Sequence, residues 1–234
     1  MMDLKEQWAM QLRGFQLAEE YRVRDLRNLG REDWLGQMHR VHGVREPNVW
    51  LLQAALNVQR ALWAEGLEFC FIGGIALQRW GEVRQTDDID LTLWCPLGEE
   101  EKVVESLGKT ITTREQDVWG LAKTARMYLG RSESGQGVDA SLSFMPYERR
   151  MLDRAVDVDF GIDEPLHCCC AEDLAITKTV AGRGQDWVDL KRITQRSGRA
   201  MDWDLVWREL EPLLEMTEKP ESMGRLRGIV EAER

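Results

Sequence analysis

Asp88 and Asp90 flank Ile89 in a stretch, Asp88-Ile89-Asp90-Leu91-Thr92-Leu93, that alternates polar and apolar as a half-buried strand does. Residues i and i+2 of a strand point to the same face, so the two carboxylates project together with Cα atoms roughly 6.5 to 7 Å apart. Upstream stands a glycine pair, Gly73-Gly74. Glycines there let the backbone turn sharply and come close to a ligand. Hard oxygen ligands on a rigid strand suit a divalent cation such as Mg²⁺, and free backbone N–H groups at a glycine turn suit phosphate. The combination reads as a Mg²⁺–nucleotide site.

The elements that must position these groups follow from the pattern. A near-continuous apolar run, Leu67 to Ile72, predicts a buried strand ending at the glycines. A short helix with Ala76, Leu77 and Trp80 follows, then the Asp88–Cys95 strand, which Pro96 ends. Upstream, Asn48 is the expected N-cap of a helix whose Leu51, Leu52, Ala55, Leu56, Val58 and Leu62 form a broad apolar face, with Gly66 as its stop. Glu99 to Leu107 predicts a short acidic helix. A hairpin is expected from Thr124–Leu129 and Gly137–Phe144, joined by GRSESGQ. In its second strand Val138, Ala140, Leu142 and Phe144 share one face, and Asp139, Ser141 and Ser143 the other. If this strand neighbours the Asp88 strand, Asp139 joins the two aspartates; otherwise it is an exposed acid on a half-buried strand. From Ala171 onward the chain reads as helical.

The joined pattern resembles the polymerase-β-like nucleotidyltransferase superfamily, whose signature is a Gly-Gly or Gly-Ser pair followed by Asp-x-Asp. Arg84-Gln85-Thr86-Asp87-Asp88-Ile89-Asp90 is similar to the Arg-x-Thr-x-Asp-Ile-Asp form found in nucleotidyltransferase toxins of bacterial abortive-infection systems and in antibiotic-modifying nucleotidyltransferases. Likeness to the toxin type extends to Ala171-Glu172-Asp173-Leu174, Lys178, Gly182-Arg183 and Asp186-x-x-Asp189. The resemblance implies catalytic, metal-binding Asp88, Asp90 and Asp139, two Mg²⁺ ions with bound NTP, and nucleotide contacts from Gly73, Gly74, Arg84, Thr86, Lys178 and Asp186. It further implies transfer of an NMP to an acceptor hydroxyl, either an RNA end or a small molecule of the aminoglycoside kind, and for the toxin type a cognate antitoxin. The alternatives stay open: a non-catalytic nucleotide-binding or interaction module of the same fold, an ion pair of Arg84 with Asp87 or Glu82, a solvated Lys178, and pairing of Asp186 and Asp189 with Lys191 or Arg192.

The expected fold class is α+β: a small mixed sheet with helices packed on it, spanning 46–170, between a helical N-terminal arm (1–45) and a helical C-terminal region (171–234). The 234 residues carry a net charge of −10 and 43% hydrophobic residues, ten of them tryptophan. That balance argues against a protein devoted to non-specific nucleic-acid binding, which needs Lys and Arg against phosphate. The N-terminus lacks the apolar core of a signal peptide, and no apolar run is long enough for a bilayer, so a cytoplasmic protein without membrane contact is expected. Cys70, Cys95 and Cys168-Cys169-Cys170 lack zinc-site spacing and are expected as small buried hydrophobes.

Overall fold

A computed structural model of the chain describes residues 49–82 and 86–233. The expected N-cap Asn48, the arm 1–45 and Arg84 lie outside the described residues. Helix α1 (Val49–Ala64) buries the predicted face, Leu51, Leu52, Ala55, Leu56, Val58 and Leu62 among it. It stops at Gly66, whose φ of +70° is in the left-handed region. There Gly66 N donates to Trp63 O (3.0 Å) and Leu67 N to Leu62 O (3.0 Å), so residue 67 closes the helix rather than opening a strand.

Strand β1 (Phe69–Phe71) is therefore shorter than the apolar run. At its other end Ile72 caps helix α2 (Gly73–Trp80), although its N–H still donates to Asp90 O at 3.0 Å. Next come β2 (Asp88–Trp94), α3 (Glu100–Gly108), the two-residue β3 (Thr112–Thr113), α4 (Val118–Ala125), β4 (Met127–Arg131) and β5 (Gly137–Ser143). Then follow α5 (Pro146–Asp153), β6 (Val156–Val158), β7 (Leu166–Cys168), α6 (Ala171–Ala181), α7 (Gly184–Ser197), α8 (Trp203–Met216) and α9 (Glu221–Ala232). The strands form one mixed sheet in the order β3-β4-β5-β2-β1-β7-β6. The fold is α+β, as expected.

The hairpin departs from expectation at its first strand. Thr124 belongs to α4, which Asp117 caps by accepting from Gly120 N (2.8 Å), and Thr124 Oγ1 bonds back to Gly120 O (2.7 Å). Arg126 then turns the chain through φ +54° and is fully buried, its guanidinium donating to Leu142 O, Cys95 O and Glu100. Those contacts fix where β4 begins.

One hydrophobic core runs from Leu51 in α1 to Val230 in α9. Helix α2 packs on β2, α6 and α7. Arg154 ties α5 to α6 through Asp173 (2.7 Å) and to α8 through Glu209 (3.2 Å). Cys70, Cys95, Cys168 and Cys169 are buried and Cys170 is partly so, and burial pushes all five thiols above their ordinary pKa. They pack as apolar groups, not as thiolates. Among the described residues, no helix is long and apolar enough to cross a membrane.

Candidate functional site

The site begins with a register. Strands β2 and β5 are parallel neighbours, with Asp88 opposite Gly137 and Asp90 opposite Asp139. Residues paired across a ladder share a face and neighbouring strands lie about 4.8 Å apart, so Asp88, Asp90 and Asp139 stand on one side of the two central strands. On the other side Ile89, Leu91, Val138 and Ala140 are wholly buried, which locks that register: a one-residue slip would turn them toward the acids. Asp88 and Asp90 are half-buried. Asp139, expected as either a member of the cluster or an exposed acid, belongs to it and is only 4% exposed.

Glycines make room for the carboxylates. Gly73, at φ +56°, sits where a Cβ would lie 2.2 Å from Asp90 Oδ2. A Cβ on Gly74 would lie 2.2 Å from Thr86 Oγ1, and Gly74 N approaches Asp90 Oδ2 at 3.5 Å. Gly73, Gly74, Thr86 and Asp90, four of the residues singled out from sequence, thus meet in one place. They meet at the start of α2, whose N-cap Ile72 has no side chain able to satisfy the first N–H groups of the helix. Gly137 plays the same part for Asp88: its Cβ would fall 2.1 Å from Asp88 Oδ1.

Gly137 has no positive φ, so Gly137→Ala tests crowding at this position, the Asp88 carboxylate above all, and not backbone strain. The atom it meets ends a short, movable side chain. We expect a cost of about 1 kcal/mol in stability, toward the low end for overpacking, but a loss of roughly 10²-fold in any activity that depends on the Asp88 carboxylate, since a displacement near 1 Å has that effect. A thermal melt beside a turnover assay measures both, and parallel losses would refute the reading.

A cation the sequence reading missed completes the cluster. Arg114 Nη2 donates to Asp139 Oδ1 at 2.5 Å, and the two side chains are 9% and 3% exposed. Arg114 Nη1 lies 3.0 Å from the same Gly137 Cβ position that Asp88 Oδ1 approaches. The guanidinium gets there because Arg114 N donates to Leu129 O (3.0 Å), Leu129 being the β4 residue opposite Asp139. Leu129 and Met127, buried with Leu121 of α4 against them, form an apolar wall beside the acids. β3, which precedes Arg114, has two residues, too short for any periodicity to mark it in the sequence.

Lys178 and Asp186 form a second cluster at the α6–α7 corner. Lys178 Nζ lies 2.6 Å from Asp189 Oδ2 and 3.2 Å from Asp186 Oδ1, all three buried. Asp186 also accepts from Arg183 Nε (2.9 Å), and Asp189 from Gln185 Nε2 (3.0 Å). Burial would raise the Asp186 carboxyl, but the Arg183 side chain and the Lys178 charge outweigh it and hold it below the ordinary range. Lys178 is therefore not a solvated helix lysine. Nor do Asp186 and Asp189 rely on Lys191 and Arg192, which pair with Glu233 (3.2 Å) and Glu82 (2.8 Å). Helices α6 and α7 back onto α2, so this cluster braces the helix that carries the glycine pair.

Among the described residues, no group of three or more His, Cys, Asp or Glu is already arranged to hold a metal ion. The donor chemistry nonetheless suits Mg²⁺: carboxylate oxygens only, on adjacent strands, with the glycine side chains that would crowd them missing.

No protein-family model matches the chain, and no curated protein sequence does. Similar solved structures include an antigenic nucleotidyltransferase-like protein from Paracoccidioides brasiliensis, at 14% identity over 75% of this chain and 91% of that one, with a TM-score of 0.43. The antibiotic-resistance factor ANT(2″)-Ia is 18% identical over 79% of this chain and 89% of its own, with a TM-score of 0.37. JHP933 from Helicobacter pylori is 14% identical over 76% and 93%, with a TM-score of 0.38. With TM-scores below one half, these likenesses carry no argument, and the reading of the site rests on its own geometry.

Proposed function

We propose that this chain is a nucleotidyltransferase that moves an NMP from an NTP to an acceptor hydroxyl. The observation that carries the reading is the β2–β5 register, which sets Asp139 beside Asp90 while Gly73 and Gly74 close over Asp90 and Thr86. Asp88, Asp90 and Asp139 would hold Mg²⁺, which when bound with nucleotide supplies Lewis-acid stabilisation of the charge that gathers on the α-phosphate. The backbone N–H groups of Gly73 and Gly74 bind and orient the terminal phosphates. The acceptor oxygen forms its bond to the α-phosphorus as the bond to the bridging oxygen breaks and pyrophosphate leaves. Asp139 takes the acceptor proton on its carboxylate. Thr86, packed against Gly74, keeps the glycine turn in shape.

Two acceptors follow from this chemistry. An RNA end is what the toxin resemblance implies, and with it a cognate antitoxin. A hydroxylated, cationic small molecule of the aminoglycoside kind is the alternative, and the net charge of −10 favours it. Each α-³²P-labelled NTP is incubated with Mg²⁺ and the protein, once with total RNA and once with a panel of aminoglycosides. Label in RNA supports the first acceptor and label in drug the second. Nucleotide binding that ignores Mg²⁺, with no transfer to either acceptor, refutes the enzyme and leaves the binding module.

A further inference from the structure

We propose that Arg114 is a latch on the carboxylate trio: its guanidinium competes with the divalent cation for Asp139 and must release that carboxylate before the metal enters. The inference rests on the metal-dependent reading above. A single guanidinium reaches toward two of the three acids, donating to Asp139 Oδ1 at 2.5 Å and placing its other terminal nitrogen beside the Asp88 carboxylate. Both members of the Arg114–Asp139 pair are largely removed from water, so the contact is screened little by solvent. Three carboxylates gathered on adjacent strands repel one another, and a positive charge among them relieves that repulsion just as a metal would.

The contact is also incompletely satisfied, as a displaceable one would be. Arg114 Nε is buried with no hydrogen-bond acceptor among the described residues, and a buried donor without a partner costs free energy. A fully built Arg–carboxylate fork uses two parallel donors on one carboxylate. Here Nη2 donates to Asp139 Oδ1, while Nη1 lies near the Gly137 Cβ position that Asp88 Oδ1 also approaches. The carrier permits the swing: Arg114 follows a two-residue edge strand whose Thr112 and Thr113 are exposed, and its backbone stays tied to Leu129 O.

The experiment measures Mn²⁺ uptake without nucleotide, by the loss of the free-ion electron paramagnetic resonance signal, and thermal melting in EDTA and in Mn²⁺. We expect Arg114→Gln to bind Mn²⁺ on the order of tenfold more tightly than the native chain, as removal of a competing charge of this proximity implies. In EDTA it should melt below the native chain, and Mn²⁺ should stabilise it more. Arg114→Lys, which keeps the charge but not the fork, should fall between the two; it carries the test if Arg114→Gln does not fold. Native chain and both variants binding Mn²⁺ equally, or either variant binding it more weakly, overturns the latch alone. No Mn²⁺ uptake by any of the three overturns the latch together with the metal-dependent reading.

Discussion

Asp90→Asn is expected to lower nucleotidyl transfer by at least about 10³-fold while leaving the melting temperature nearly unchanged. Asparagine fills the same volume, so the space that Gly73 leaves for the side chain stays filled. What disappears is the negative charge facing Asp139 across the ladder, and with it the oxygen set that would hold the cation stabilising the transition state. Charge stabilisation of that kind is worth several kcal/mol in a site sheltered from water, which sets the rate loss. Folding stability moves little, because the amide keeps the side chain's shape and an oxygen that can accept from Gly74 N. Asp88→Asn should lower transfer by a similar factor. The check is single-turnover label transfer beside a thermal melt; transfer that survives both substitutions would exclude this site from the chemistry.

The contrast with Arg114 shows how far the sequence could be read. Asp88, Asp90 and Asp139 stand out through period-two alternation, because each lies on a strand long enough to show it; that their two strands are neighbours is not legible in the pattern and comes from the structure. The glycine pair was visible for the same reason: it ends an apolar run. Arg114 gave no such sign. It is brought to Asp139 by a β3–β4–β5 row in which β3 has two residues, and no local periodicity marks a contact that depends on three strands lying side by side. The start of β4 was misplaced because Thr124, a good strand former, is held in α4 by the Asp117 cap and its own bond to Gly120 O. Lys191 and Arg192, in the same helix, are the partners that the sequence suggests for Asp186 and Asp189. Their actual partner, Lys178, comes from the helix before, across the turn at Gly182, whose φ of +65° reverses the chain.

That corner carries the largest expected effect on stability. Lys178→Met removes a charge that both Asp189 and Asp186 contact and leaves the two carboxylates buried at 2% exposure each. Breaking a buried ion cluster from one side costs about 3 kcal/mol or more, because carboxylates that have lost a counter-charge keep their desolvation penalty, and in a chain of this size that lowers the melting temperature by roughly 10 °C. Replacing all three, as Lys178→Met with Asp186→Asn and Asp189→Asn, removes the buried carboxylate charges as well and should recover most of the loss, which separates lost pairing from lost packing. The pH dependence has a definite sign. In the native chain the Asp186 carboxyl is held below its ordinary value, so its contribution is present above the ordinary carboxylate range and is lost as pH falls through the lowered value. In Lys178→Met burial acts against one fewer counter-charge, the Asp186 carboxyl titrates higher, and the penalty is greatest near neutrality and shrinks as pH drops toward about 4. Chemical denaturation of both proteins between those limits should therefore show curves that converge in acid. A constant gap at every pH would mean that Lys178 contributes through its aliphatic stem, and that α2, with its glycine pair, is braced by packing instead of charge.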